Sequence, residues 1–309
     1  MFSSLENSIL QTIVYFDVLS RPLKEKEILW NLRSTTEIIS RERLLNIAIS
    51  DIIKKSSYLQ KNIEYKDGFF FLKGRGELIK ERKKREKISK QNWQKLKKIT
   101  PKINGTPFLK GVFVSGSLAI NNSNEKSDID LMIIAKRGRI FTVRFFLTLF
   151  LSMIGERRTP KKIAGKVCLN HYLSENALRV DFPSIYNAYT YLHLKPIILR
   201  EDIFNRFRKA QDWMKDYLLF WDKTFKPPFQ VEKKSKTAQL LEKTLSGRLG
   251  DRIEKHLKNI QLKRKEKNYP QGIKNGRVIL NDYLIELHPD SPEKEILKKY
   301  QKKLKELLF

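Results

Sequence analysis

The chain has 309 residues, 40% of them apolar and 31% charged, which excludes an intrinsically disordered protein and leaves room for about two or three modules. Its 63 Lys and Arg against 34 Asp and Glu give a net charge of +29, which points to a polyanionic partner such as DNA, RNA or nucleotide, or else to a generally basic proteome. The single cysteine, Cys168, excludes an internal disulfide and a cysteine-based zinc cluster, and fits a reducing cytoplasm.

The start, Met1-Phe2-Ser3-Ser4-Leu5-Glu6, lacks the basic residues and apolar run of a signal peptide, so a cytoplasmic protein is expected. Leu5, Ile9, Leu10, Ile13 and Val14 recur at helical spacing over 5–19, with Ser4 as N-cap. Ser20-Arg21-Pro22 breaks that helix, and Pro22 suits the first turn of a second, Leu23 to Leu32. A third helix is expected from Ser40 to about residue 54. A β-rich run, Tyr58 to Tyr65, then meets Phe69-Phe70-Phe71-Leu72 across Asp67-Gly68, a hairpin signal. Three short helices and a hairpin resemble a winged helix-turn-helix domain. That resemblance implies DNA as a partner, contacted by the third helix and the wing; packing or dimerisation is the alternative use.

Residues 73–102 form a very basic helix, ended by Pro101, whose like charges read as a phosphate-contacting or a simply solvated surface. A helix is expected from Arg139 to Gly155. Its apolar stretch, Phe145 to Ile154, is shorter than the roughly 20 residues that span a bilayer, so no membrane partner is expected. Lys166 to Leu173 reads as a strand. The remainder reads as mostly helical: one helix carrying Phe204, Phe207, Trp213, Leu218 and Phe220, a basic one over about 237–267, and a last one from Ser291-Pro292-Glu293 to Leu308.

The chemistry lies in 110–136. Gly111-Val112-Phe113-Val114-Ser115 is a short apolar strand ending in Gly116-Ser117, and a polar loop leads to a second strand, Asp128-Ile129-Asp130-Leu131-Met132-Ile133-Ile134. Gly116 lets a phosphate approach the backbone, and Ser117 offers a hydroxyl and an amide to an anion. Alternate strand residues share a face, so Asp128 and Asp130 project together, and two such carboxylates suit Mg²⁺ or Mn²⁺. The strand, the Gly-Ser turn and the Asp-x-Asp resemble the DNA polymerase beta-like nucleotidyltransferases, in wording closest to their minimal prokaryotic branch, over about residues 108–175. The resemblance implies that Gly116 and Ser117 hold the triphosphate of an NTP substrate. It implies that Asp128 and Asp130 are catalytic and bind metal. A nucleoside monophosphate then passes to a hydroxyl acceptor on a protein, an RNA or a small molecule, with release of pyrophosphate.

The family pattern has a third carboxylate on a later strand. The corresponding positions here are Cys168 and Asn170, neither acidic, which makes Asn170 the candidate for that place. Strand parity puts His171 on the opposite face, and Glu175 and Asp181 are the nearest acids in sequence. Arg144, Arg157, Arg158, Lys161 and Lys162 read as phosphate-steering or solvated residues, while His193, His256 and His288 show no metal-ligand spacing. The departure keeps a second reading open: a weak or inactive nucleotidyltransferase-like DNA-binding regulator. The expected fold class is α/β (α+β). It comprises a winged helix over 1–75, a basic helical connector over 76–104, a small mixed-sheet nucleotidyltransferase core over 105–200 and a helical C-terminal region over 201–309.

Overall fold

The computed structural model describes residues 4–35, 40–268 and 276–308; Met1-Phe2-Ser3, read above for a signal peptide, lie outside them. The chain is a mixed α/β protein. It begins with α1 (Ser4–Val18), α2 (Glu25–Trp30), α3 (Arg41–Leu45), α4 (Ile49–Lys55), α5 (Ser57–Asn62), the strands β1 (Ile63–Lys66) and β2 (Phe69–Leu72), and α6 (Leu78–Asn104). There follow β3 (Leu109–Val114), α7 (Gly116–Ala119), β4 (Ile129–Ala135), α8 (Ile140–Met153), β5 (Val167–Ser174), α9 (Ile185–Leu192), β6 (Lys195–Leu199) and α10 (Ile203–Ala210). The chain closes with α11 (Lys236–Thr244), α12 (Gly247–Asn268), β7 (Arg277–Leu280), β8 (Leu284–His288) and α13 (Glu293–Leu308).

Six strands form one mixed sheet in the order β6-β3-β4-β5-β8-β7, in which β4 and β5 run parallel and every other neighbouring pair is antiparallel. The parallel pair needs a crossover, and α8 supplies it. Both faces of β4 are buried. Ile129, Leu131 and Ile133 join the cluster that includes Leu96 of α6 and Phe141 of α8, while Met132 and Ile134 join one with Tyr191 of α9 and Phe207 of α10.

The second cluster also takes in α1, α2, α4 and α5, so the N-terminal helices and one face of the sheet share a continuous core. Helix α13 packs on α1, with Tyr15 and Tyr300 edge to face at 5.6 Å. Buried Asp17 accepts from Lys303, and Arg33 donates to the Tyr300 hydroxyl at 3.1 Å. No helix among the described residues is long and apolar enough to cross a membrane.

Several elements differ from the sequence expectation. The single helix expected over 40–54 is two, α3 and α4, and residues 36–39 lie outside the described set. The first half of the β-rich run is helix α5, because the Ser56 hydroxyl caps it, accepting from Leu59 N at 3.2 Å. Pro101 does not end α6; the last turn, anchored by fully buried Ile103, runs on to Asn104. The long basic helix near the C-terminus breaks between α11 and α12. Three strands in regions read otherwise enter the main sheet: β6, an edge strand that tolerates Pro196, and the β7 and β8 pair, which makes the C-terminal region more than helical.

The joint between α2 and α6 is ionic. Glu27 accepts from Arg21 at 2.7 Å and from both terminal nitrogens of Arg82 at 2.7 and 2.9 Å, and those arginine side chains are only 6% and 2% exposed. Burial alone would raise the Glu27 carboxyl, but Arg21 and Arg82 outweigh it and hold the group down to about 2. Glu27→Gln leaves buried Arg21 without its carboxylate partner and Arg82 with Glu86 alone, so urea unfolding at neutral pH should show a loss of about 3 kcal/mol. Because the folded group is depressed, its contribution is present above the unfolded value of 4.5 and lost as pH falls toward 2. The wild type and the variant should therefore converge in stability in acid.

Candidate functional site

Pairing of β3 with β4 brings the Gly116 turn onto the start of β4. Val114 lies opposite Leu131, and Ser115 N donates to Asp130 O at 3.0 Å. Gly116 has φ +63°, and a Cβ built on it would lie 2.6 Å from Asp130 Oδ2. Glycine is required twice here, by the left-handed backbone and by the carboxylate that fills the space a side chain would take. The close neighbour is thus Asp130 itself, where the sequence reading placed a phosphate. Ser117 Oγ lies 3.4 Å from Ser123 Oγ, and the loop behind it is fixed by α6: Ser123 N donates to Ser89 Oγ at 3.0 Å and Trp93 Nε1 to Asn121 Oδ1 at 3.0 Å. The basic connecting helix therefore has a buried side that holds the site loop.

Asp128 and Asp130 come together as expected, and Cys168 joins them; ligand atoms of the three all lie within 4.8 Å of one another. Arg158 closes the group: its Nε forms an ion pair with Asp128 Oδ2 at 3.0 Å, and its Nη1 donates to Cys168 Sγ at 3.4 Å. Asp130 is half-buried and lines an adjoining cavity. Burial, and after it the charge of Asp128, push its carboxyl up to about 7. Burial, then the two aspartates, push the Cys168 thiol up to about 12, so it is neutral and a poor partner for a hard cation. Two carboxylates short of positive charge fit Mg²⁺ or Mn²⁺, with the remaining ligands coming from water or substrate oxygens.

At the third position the structure corrects the strand-parity argument. Asp130 is in register with Cys168 but Met132 with His171, so β5 carries a bulge. The bulge turns both Asn170 and His171 to the Asp130 side. Asn170 Nδ2 donates to Asp130 Oδ1 at 3.3 Å and faces His288 Nδ1 at 3.3 Å. The bond to Asp130 turns the amide nitrogen of Asn170 toward the carboxylate, so Asn170 restrains Asp130, while the direction of the His288 contact depends on the imidazole tautomer. His171 is buried, with its ring 6.3 Å from those of Tyr191 and His288. Burial first, and then nearby Arg277, hold it down to about 4, so it is neutral at physiological pH. Glu175 and Asp181 do not fold back. Glu175 pairs with Lys110 at 3.3 Å, and Asp181 with Arg179 at 3.0 Å on the surface.

Among the other candidates, Arg144 donates to Gln261 Oε1 at 2.6 Å, and both Arg144 and Arg157 line a second cavity beside Cys168 and Asn170. Lys161 and Lys162 are exposed, as is His256. His288, set aside on spacing, reaches the site because the β7–β8 hairpin carries it there. The signal was Val278-Ile279-Leu280 and Leu284-Ile285 around Asn281-Asp282, a hairpin pattern hidden in a region read as helix. Sequence reasoning also missed a cavity of about 290 Å³ that opens beside Gly116, Ser117 and Asp130 and is walled by α1, α9 and α13.

The chain matches no protein-family model, no curated protein and no solved structure.

Two outcomes test this geometry. Gly116→Ala should lower stability by about 1–2 kcal/mol in urea titration, since the left-handed backbone and the Asp130 contact both oppose a side chain. Asp130 has a folded value above its unfolded 3.8, so its contribution is full below that pH and is lost as pH rises through about 7. In metal-free buffer the wild type should lose on the order of 1–2 kcal/mol relative to Asp130→Asn between pH 5 and pH 8. Parallel pH profiles for the two proteins would contradict the assignment.

Proposed function

We propose that the protein is a nucleotidyltransferase of the DNA polymerase beta-like kind, transferring a nucleoside monophosphate from an NTP to a hydroxyl acceptor with Mg²⁺ or Mn²⁺. The observation that carries this is the close fit of the Gly116 turn to Asp130, with Asp128 beside it just ahead of the same strand. A turn that leaves backbone and a hydroxyl open next to paired carboxylates supports binding of a metal-chelated polyphosphate. Bound there, a divalent ion would be held by Asp128 and Asp130 and would supply charge stabilisation to the phosphates.

The chain's own residues would do the rest. Gly116 and Ser117 would bind the phosphates, Asn170 would restrain Asp130, and Arg158 would exchange its contact with Asp128 for a phosphate oxygen. No carboxylate stands at the third position, so deprotonation of the acceptor falls to another group or to solvent. Slow turnover follows from that, on the order of a hundredfold or more below an enzyme with a positioned base.

A second reading has its own support: the N-terminal helices and the β1–β2 hairpin border a groove flanked by Lys24, Lys26, Lys54 and Lys83 beside Tyr65, with Glu25, Asp67 and Glu86 also lining it. A winged helix used on duplex DNA would present such a surface, and the protein would then act as a DNA-binding regulator with a weak or silent nucleotide site.

Incubation with each α-phosphate-labelled NTP, Mn²⁺ and a cell extract should transfer label with the wild type and not with Asp128→Ala/Asp130→Ala. Equal labelling by both proteins would exclude the aspartates from the reaction. In the same preparation, the regulator reading expects salt-dependent duplex binding that Lys54→Glu weakens about tenfold or more. Salt-insensitive retention, or none, would remove it.

A further inference from the structure

Helix α8 buries Ile140, Val143, Leu147 and Leu151 on one face and leaves a largely apolar face on the other. Phe145, Leu149 and Met153, four residues apart, form a row along that outer face and are 41%, 39% and 73% exposed. Phe146 and Phe150 form the next row. Ring centroids are 5.3 Å apart from Phe145 to Phe146 and 5.7 Å apart from Phe146 to Phe150. Exposed Ile154 continues the ridge past the helix end. Contiguous apolar surface of this kind marks a place where a soluble face meets something else.

The surroundings of the ridge are cationic. Helices α6 and α12 both pack on α8, and a basic loop follows it. Residues 88–104 of α6, 157–166 of the loop and 255–265 of α12 are rich in Lys and Arg and contain no Asp or Glu. Two contacts place this charge beside the apolar rows. A Cβ built on Gly105 would lie 3.2 Å from the Lys102 carbonyl oxygen and 3.7 Å from the Phe150 ring, so the end of α6 adjoins the aromatic row. At the C-terminal end of α8, Arg157 N donates to Leu151 O at 3.1 Å, which ties the start of the basic loop to the helix. Lys161, Lys162 and Ile163 in that loop are exposed.

From this pairing we infer that α8 docks on the surface of an anionic lipid bilayer. It lies in the plane of the surface, with Phe145, Leu149 and Met153 at the acyl boundary and the flanking lysines and arginines among the headgroup phosphates. The inference stands apart from the reaction proposed above. Three constraints select this occupant. With 14 residues α8 falls short of the ~20 needed to cross a bilayer, so it lies along the surface. A second copy would bring two basic rims together on chains that each carry +29, which like-charge repulsion opposes. Nucleic acid would satisfy the lysines and leave Leu149 and Met153 without an apolar partner. An anionic membrane surface answers both features, because the ridge leaves water while the rim meets lipid charge.

Sedimentation of the full-length protein with lipid vesicles tests the inference. Vesicles of equal parts phosphatidylcholine and phosphatidylglycerol should bind it about tenfold or more tighter than phosphatidylcholine alone. The neutral change Leu149→Gln/Met153→Gln should weaken that binding about tenfold or more, and so should Lys161→Glu/Lys162→Glu. Thermal melts within a few degrees of the wild type would show that each variant is folded. Should the glutamine variant fail to fold, Lys161→Glu/Lys162→Glu decides the matter. Equal binding by the folded variants would reduce the attraction to general positive charge and overturn the docking face. No binding to either vesicle would overturn it as well. A wild-type dimer in lipid-free solution that the glutamine variant dissociates would overturn it in favour of a second copy.

Discussion

The contact between the Gly116 turn and the Asp130 carboxylate is the constraint on which the site depends. The turn reaches the carboxylate only because β3 and β4 pair in one register, and that register is held by a face of apolar side chains on each side of the sheet. A slip by one residue would put Asp130 into the core and Ile129 into the cavity. The outer elements serve the same arrangement. Helix α6 fixes the loop after Gly116 through Ser89 and Trp93, and the Glu27–Arg82 pairs tie that helix to the N-terminal unit.

Electrostatically the site is short of positive charge. Two carboxylates lie close together, and Arg158 pairs with Asp128 and leaves Asp130 raised toward neutrality. Burial also keeps Cys168, His171 and His288 uncharged, so none of them compensates. A divalent ion would relieve the repulsion between the aspartates and free Arg158 for a phosphate. Arg158 is thus placed to follow the charge state of the site.

The local part of this design was legible in the sequence. A glycine at the end of an apolar strand and aspartates at alternate positions of another are short-range patterns, and so is the Asp67-Gly68 turn, whose residues take φ +52° and +81°. What the sequence hid was set by distant chain. The bulge in β5 that turns Asn170 and His171 to the same side has no signature in a run that alternates normally. The route of His288 depended on seeing the hairpin after residue 276, where flanking lysine-rich helices masked two four- and five-residue strands. The aromatic wall of α1 read only as a helix core stripe, because nothing local says which of its buried faces borders a cavity. Asn170 lies within hydrogen-bond reach of Asp130, and its second contact, with His288, comes from a hairpin 118 residues away in sequence.

The central claim is that Asp128 and Asp130 form a site for a divalent ion, and electron paramagnetic resonance of Mn²⁺ reads it directly. Titrating the protein with Mn²⁺ should show bound ion at the expense of the free-ion signal, with tighter binding when an NTP is present. Asp128→Ala/Asp130→Ala should leave the Mn²⁺ free under the same conditions. An unchanged free-ion signal with wild-type protein and NTP, or equal binding by the double variant, would contradict the account.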